Sequence, residues 1–212
     1  MYQHSKNIFT AGLPVEQAKS ALVMIHGRGA TAQNMLSLAN YLDAKDLAFF
    51  APQATHQSWY PTRFIAPVQE NQPALDSALE LIHDLVQDII SKGIPAERIY
   101  FLGFSQGACL ALEYVSRHAM GYAGVIAFTG GLIGEHLEMD NYKGDFKQTP
   151  VLISSGDQDP HVPLSRVNES AVVMEGLNAH MHVKIYPNKQ HAISNEEIAH
   201  VNELFFKSSA IS

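Results

Sequence analysis

Residues 98–114 read Arg98-Ile99-Tyr100-Phe101-Leu102-Gly103-Phe104-Ser105-Gln106-Gly107-Ala108-Cys109-Leu110-Ala111-Leu112-Glu113-Tyr114. The first five are rich in β-formers, and the last seven read as a buried helix. Between them, Gly103-Phe104-Ser105-Gln106-Gly107 matches the pattern of a sharp strand-to-helix turn with Ser105 at its apex. Such a turn holds the serine in a strained conformation with its hydroxyl exposed. Strand and helix then approach too closely for side chains two positions away, and glycine at 103 and 107 removes that clash.

The flanking segments continue the same strand-to-helix alternation, the pattern of a parallel sheet covered by helices on both faces. Ala21-Leu22-Val23-Met24-Ile25 is a short buried strand ending at His26-Gly27. Thr31 is placed to N-cap a helix running through Leu42. Leu47-Ala48-Phe49-Phe50-Ala51 is the next strand, stopped by Pro52, and a polar-aromatic loop follows from Gln53 to Asn71. Pro73 opens a long helix whose apolar positions (Leu75, Ala78, Leu79, Ile82, Leu85, Val86) keep helical spacing toward Lys92-Gly93. Beyond the 98–114 stretch come a strand at 124–128 and a polar, irregular surface excursion over 134–149. A strand at 151–155, a helix from Pro163 to Asn178 and a last strand from His182 to Tyr186 complete the alternation. Ser194 and Glu197 form a capping box that starts the final helix. No repeat, low-complexity tract or linker interrupts the order, so residues 1–212 are expected to form a single domain with a full core.

Composition narrows the class. A net charge of −7, with no Lys/Arg cluster, argues against a nucleic-acid partner. Cys109 is the single cysteine, so an internal disulfide is impossible and a disulfide-built secreted fold is excluded. The segment Met1-Tyr2-Gln3-His4-Ser5-Lys6 lacks an apolar signal core, and no apolar run approaches membrane-spanning length. The expectation is a cytoplasmic protein without integral membrane association.

An exposed serine hydroxyl is a poor nucleophile near neutral pH and needs a base that is itself oriented by an acid. In folds with this turn the chain order is Ser, then Asp or Glu, then His, each on a loop at the carboxyl end of a strand. Gly156-Asp157-Gln158-Asp159-Pro160 directly follows a strand and offers two candidate acids, Asp157 and Asp159. An Asx-turn role suits either aspartate, so turn chemistry does not separate them. Among eleven histidines, His191 alone occupies the loop between the last strand and the last helix. His180 and His182 bracket a strand start, His200 lies within the last helix, and His161 is too near the acid in sequence. Acyl transfer also needs backbone N–H donors, each contributing roughly 3 kcal/mol. Gln106 N–H at the start of the helix is one candidate. Arg28 N–H, in the glycine-flanked loop His26-Gly27-Arg28-Gly29, is the other. No His-Glu-x-x-His spacing occurs, so neither a metal nor another cofactor is implied.

With Leu22-Val23-Met24-Ile25-His26-Gly27-Arg28-Gly29, Gly103-Phe104-Ser105-Gln106-Gly107, Gly156-Asp157-Gln158-Asp159-Pro160-His161-Val162-Pro163 and His191 in register, the chain resembles the phospholipase/carboxylesterase family. That group includes bacterial carboxylesterases and acyl-protein thioesterases. The resemblance covers nearly the whole chain and implies an α/β-hydrolase fold with little or no lid. It implies Ser105, Asp159 and His191 as the catalytic triad, with an oxyanion hole from the backbone amides of Arg28 and Gln106. Ser58-Trp59-Tyr60 is similar to an element that lines the family's acyl pocket. Thr129-Gly130-Gly131-Leu132 is similar to a Ser-Gly-rich loop, which places Leu132 among the substrate-binding candidates. Arg28 stands where many of the thioesterases carry leucine.

On the substrate side, Trp59, Tyr60, Phe64 and Ile65 form an aromatic and apolar cluster in a loop leaving a strand end. They read as a pocket wall or as a packed surface loop. Arg28 and Arg63 could grip a carboxylate or phosphate on the substrate, or serve as structural or solvated arginines. Cys109 reads as a small core residue. The expected activity is serine-dependent hydrolysis of small or medium-chain carboxylic esters through an acyl-enzyme. Long acyl chains, as a lysophospholipase or acyl-protein thioesterase would take, are the alternative. A binding module without turnover is a further one. The expected partner is a small-molecule ester, and a homodimer is compatible with the general frequency of two-fold oligomers.

Overall fold

Alternate side chains of the buried strands feed two separate cores, as the two-residue period of a strand requires. In β2 (Ser20–Ile25), Ala21, Val23 and Ile25 join one core while Leu22 and Met24 join the other. β5 (Gly124–Phe128) divides the same way, Val125 and Ala127 against Ile126 and Phe128. The first face is covered by α2 (Ala74–Ser91), α3 (Gln106–Arg117) and α4 (Leu164–Gly176). The second is covered by α1 (Ala32–Leu38) and α5 (Asn195–Val201). This is the α/β-hydrolase fold, described by a computed structural model over residues 2–207.

The remaining strands are β1 (Ile8–Gly12), β3 (Leu47–Pro52), β4 (Ile99–Phe104), β6 (Pro150–Gly156) and β7 (His180–Tyr186). They lie in the order β1-β3-β2-β4-β5-β6-β7, with β1 antiparallel and every other pairing parallel. The order reverses between β2 and β4. The crevice at the carboxyl ends of these two strands is where open α/β sheets bind their ligands. Here those ends are the His26–Arg28 loop and the Ser105 turn. Among the described residues no helix is long and apolar enough to cross a membrane.

Several elements depart from the pattern reading. β1 gives no clear period because its outer residues, Thr10 to Gly12, are exposed on a sheet edge. The first helix keeps its Thr31 cap but ends at Leu38 and tightens into a 3-10 turn over Ala39–Tyr41. The last strand begins at His180, two residues early, because β6 starts at Pro150 and pairs with it there. The excursion over 134–149 is irregular, yet it is not wholly superficial: Tyr142 and Phe146 are buried and anchor it.

Candidate active site

Ser105 sits between β4 and α3 with φ 54° and ψ −118°, a conformation that L residues rarely adopt. Its strain is held by close packing on both sides. A Cβ at Gly103 would lie 2.3 Å from the Gly107 carbonyl oxygen, and one at Gly107 would lie 2.1 Å from that of Ile25. The turn therefore puts the start of α3 directly against the end of β2, and only glycine permits that approach.

His191 and Asp159 reach the serine from the loops after β7 and β6. Ser105 Oγ lies 2.8 Å from His191 Nε2, and His191 Nδ1 lies 2.7 Å from Asp159 Oδ2. The other carboxylate oxygen, Oδ1, accepts the backbone N–H groups of His161 and Val162 at 2.8 and 3.0 Å. Burial pushes the Asp159 carboxyl upward, but the hydrogen bonds from His191, His161 and Val162 outweigh it and hold the group below the usual aspartate range. An ionised Asp159 can only accept, so His191 carries its proton on Nδ1 and leaves Nε2 free to accept from Ser105. Asp157, the rival acid, instead accepts the Asn188 N–H at 2.8 Å and pins the loop that carries His191.

The loop after β2 packs against the serine: a Cβ at Gly27 would lie 3.5 Å from Ser105 Cβ. Gln106 N–H, at the first position of α3, has no carbonyl one turn back to receive it. The Gln106 side chain has a task that its sequence position does not reveal. Its Oε1 accepts from Trp59 N–H at 3.0 Å and its Nε2 donates to Tyr60 O at 2.8 Å, fastening the 58–60 loop to the elbow. The Arg28 guanidinium clamps the same loop through the carbonyls of Tyr60, Pro61 and Thr62 at 3.0, 2.9 and 2.6 Å. Two buried histidines complete the support. His26 Nε2 accepts Ala54 N–H at 3.0 Å and His4 Nδ1 accepts Thr55 N–H at 3.1 Å. Each is therefore a neutral ring, and burial lowers the pKa of both.

A cavity of about 500 Å³ opens over Ser105 and His191. Tyr60, Arg63 and Phe64 line it, together with Arg28, Gln106, Cys109 and His161. Three expected wall residues, Trp59, Leu132 and Ile65, do not. The Trp59 indole is fully buried and donates to the His26 carbonyl at 2.8 Å, so it fixes the loop from behind. Leu132 is equally buried, its N–H bonded to Ser170 Oγ at 2.8 Å, and it belongs to the core beneath the site. Ile65 also packs on the core. Burial pushes the Cys109 thiol up to about 12, so it stays protonated and unreactive. Among the described residues, no three His, Cys, Asp or Glu side chains are grouped to hold a metal.

Charged side chains inside the fold, which in sequence look like solvated helix faces, brace the surrounding loops. Arg166 donates to the carbonyls of Leu132, Gly134 and Glu135. Glu113 accepts from Ile133 N–H and pairs with Arg117 at 2.7 Å. Two residues before His191, Lys189 Nζ lies 3.3 Å from Glu197 Oε1 and 3.0 Å from Thr129 Oγ1, with both side chains of the pair buried.

Comparison with known proteins places this geometry. The sequence profile of the phospholipase/carboxylesterase family matches residues 10–208. The crystal structure of a phospholipase/carboxylesterase from Dyadobacter fermentans is 58% identical and superposes with a TM-score of 0.96, covering 98% of this chain and 99% of that one. An acyl-protein thioesterase 1 of Gibberella zeae is 30% identical over 140 residues, which are 65% of this chain and 60% of that protein. A probable carboxylesterase SOBER1-like of Arabidopsis thaliana is 28% identical over 132 residues, 62% of this chain and 50% of that protein. The matches therefore span between half and three fifths of these two relatives.

Proposed function

The chain belongs to the phospholipase/carboxylesterase family, and from that premise we propose that it is a serine esterase for small and medium-chain carboxylic esters, thioesters included. The observation that carries the reading is the unbroken hydrogen-bonded series from Ser105 Oγ through His191 to Asp159, open to a cavity at its serine end. In this mechanism His191 Nε2 takes the Ser105 proton as Oγ attacks the ester carbonyl. Asp159 keeps the imidazole in the required tautomer and stabilises the imidazolium. The developing oxyanion is received by the backbone N–H groups of Arg28 and Gln106, the second reinforced by the positive end of α3. His191 then protonates the departing alcohol or thiol. In the second half it draws a proton from water, which releases the acid and restores the serine.

Initial rates on p-nitrophenyl esters from acetate to palmitate, with Ser105→Ala in parallel, test this. We expect an optimum at short or medium chains and a fall of at least about 10³-fold in the variant. A long-chain optimum would transfer the reading to lysophospholipids or acylated proteins, the direction in which the Gibberella relative's name points. Turnover that persists in Ser105→Ala, or is missing from the parent on every ester, would overturn it.

A further inference from the structure

The charge of the cavity wall carries information about the substrate beyond the bond that is cut. Although the chain has 21 acidic against 14 basic residues, no aspartate or glutamate lines this cavity, whereas Arg28, Arg63, His161 and His191 do. Of the carboxylates near its lining, Asp159 is engaged by His191 and two backbone amides, and Glu113, close enough to act on Tyr60 and Cys109, is paired with Arg117. Arg28 gives its donors to three backbone carbonyls, which are neutral, so its positive charge stays uncompensated.

Arg63 differs from Arg28. Its backbone is fixed, since Arg63 O accepts from Asn71 Nδ2 at 3.0 Å and from Ala66 N–H at 3.1 Å. Its neighbour Phe64 is buried, and Phe64 O accepts from Gly134 N–H at 2.7 Å. Yet among the described residues its guanidinium meets no carboxylate and no carbonyl. His161 is similarly placed: its amide is spent on Asp159, its ring stands edge-on to His191 with centroids 4.7 Å apart, and neither ring nitrogen has a partner among the described residues. A planar five-donor fork and an imidazole, both unengaged, thus share a cavity wall with the reacting serine.

We infer that this wall is an anion subsite, and that the preferred substrates are esters bearing a carboxylate or phosphate held by Arg63 and His161. This rests on the esterase reading and narrows its substrate class. The test compares matched acetates: 4-acetoxybenzoate, its uncharged methyl ester, and 4-acetoxyphenyl phosphate, each rate normalised to the hydroxide rate of the same ester. At low ionic strength we expect kcat/KM for at least one anionic ester to exceed that for the methyl ester by about five- to tenfold. The ratio should shrink at 0.5 M salt, collapse toward one in Arg63→Gln and be largely retained in Arg63→Lys. The anionic arm with the larger ratio identifies the group. A ratio near one in the parent, or one unchanged in Arg63→Gln, would overturn the inference. Calorimetric titration of 4-hydroxybenzoate and phenyl phosphate into Ser105→Ala decides it without turnover. Binding that weakens about tenfold when Arg63→Gln is added supports the subsite, and no binding of either anion refutes it. If no ester is hydrolysed at all, the esterase reading fails while this titration still judges the subsite.

Discussion

Replacing Glu197 by alanine tests what holds the His191 loop in place. Glu197 is 0% exposed, and its carboxylate accepts from Ser154 Oγ at 2.5 Å, from Ser194 N–H at 2.8 Å and from Ser194 Oγ at 3.1 Å. It also faces Lys189 Nζ at 3.3 Å. Without it, the Lys189 ammonium, on a side chain only 6% exposed, keeps Thr129 Oγ1 as its remaining partner. Removing one member of a buried pair strands the other charge and costs about 3–5 kcal/mol. The capping bond lost at α5 overlaps with that figure rather than adding fully to it. For a chain of this size the loss amounts to a fall of about 6–20 °C in Tm. Thermal and urea unfolding followed by circular dichroism would read it, with the urea midpoint moving and the slope unchanged. Deleting both charges, as Lys189→Met with Glu197→Leu, should recover at least about 2 kcal/mol relative to the single change. A single variant within about 1 kcal/mol of the parent would refute the reasoning, as would a double variant no more stable than the single, because a solvated pair behaves that way.

Gly107→Ala should cost about 3 kcal/mol or more, since the new methyl would meet the carbonyls of Ile25 and His26 at 2.1 and 2.5 Å and backbone cannot step aside. Gly176→Ala, at the end of α4 with nothing within 4 Å, should instead be neutral or stabilise by up to about 1 kcal/mol. Equal melting temperatures for the two variants would contradict the packing of the elbow. Acid should destabilise the fold through His4 and His26, whose pKa values burial lowers in the folded state. The unfolded chain binds protons at these sites more readily, so their contribution is intact above about pH 6.5 and drains away as pH falls through the depressed values. His26→Gln should lower Tm at pH 7.5 yet flatten its decline toward pH 5, and a decline as steep as the parent's would count against this origin.

Much of the architecture was legible because buried strands and long amphipathic helices write their faces into local spacing. Leu22 and Met24 alternate with Val23 and Ile25, and α2 repeats at helical intervals. The same logic placed Ser105, His191 and the Asp157/Asp159 pair on three strand-end loops, the family resemblance chose Asp159, and the fold brings Ser105, Asp159 and His191 into contact. What escaped depends on partners distant in sequence. Trp59 reads as a pocket aromatic until the His26 carbonyl, 33 residues away, claims its indole. Arg166, Glu113 and the Lys189–Glu197 pair resemble solvated charges on helices and loops, and only tertiary contact reveals them as buried braces. β1 left little trace because an edge strand buries too little to impose a period. The wall roles of His161 and Cys109 also had no local signature, since each depends on which face a neighbouring loop leaves open.

Among the described residues the strand order leaves β7 paired with a strand on one side only, so its outer margin presents backbone amides and carbonyls that no strand takes up. Such a margin can template the addition of a second copy, and its side chains determine how well that addition is tolerated. A two-fold antiparallel partner centred on Val183 would set His182 opposite Lys184 twice over, placing like charges together once the histidines protonate. Any pairing of two copies through this margin would therefore be opposed as the solution becomes more acidic. Because a two-fold pair occupies the β7 margin of both copies, such an addition would close at two and not propagate.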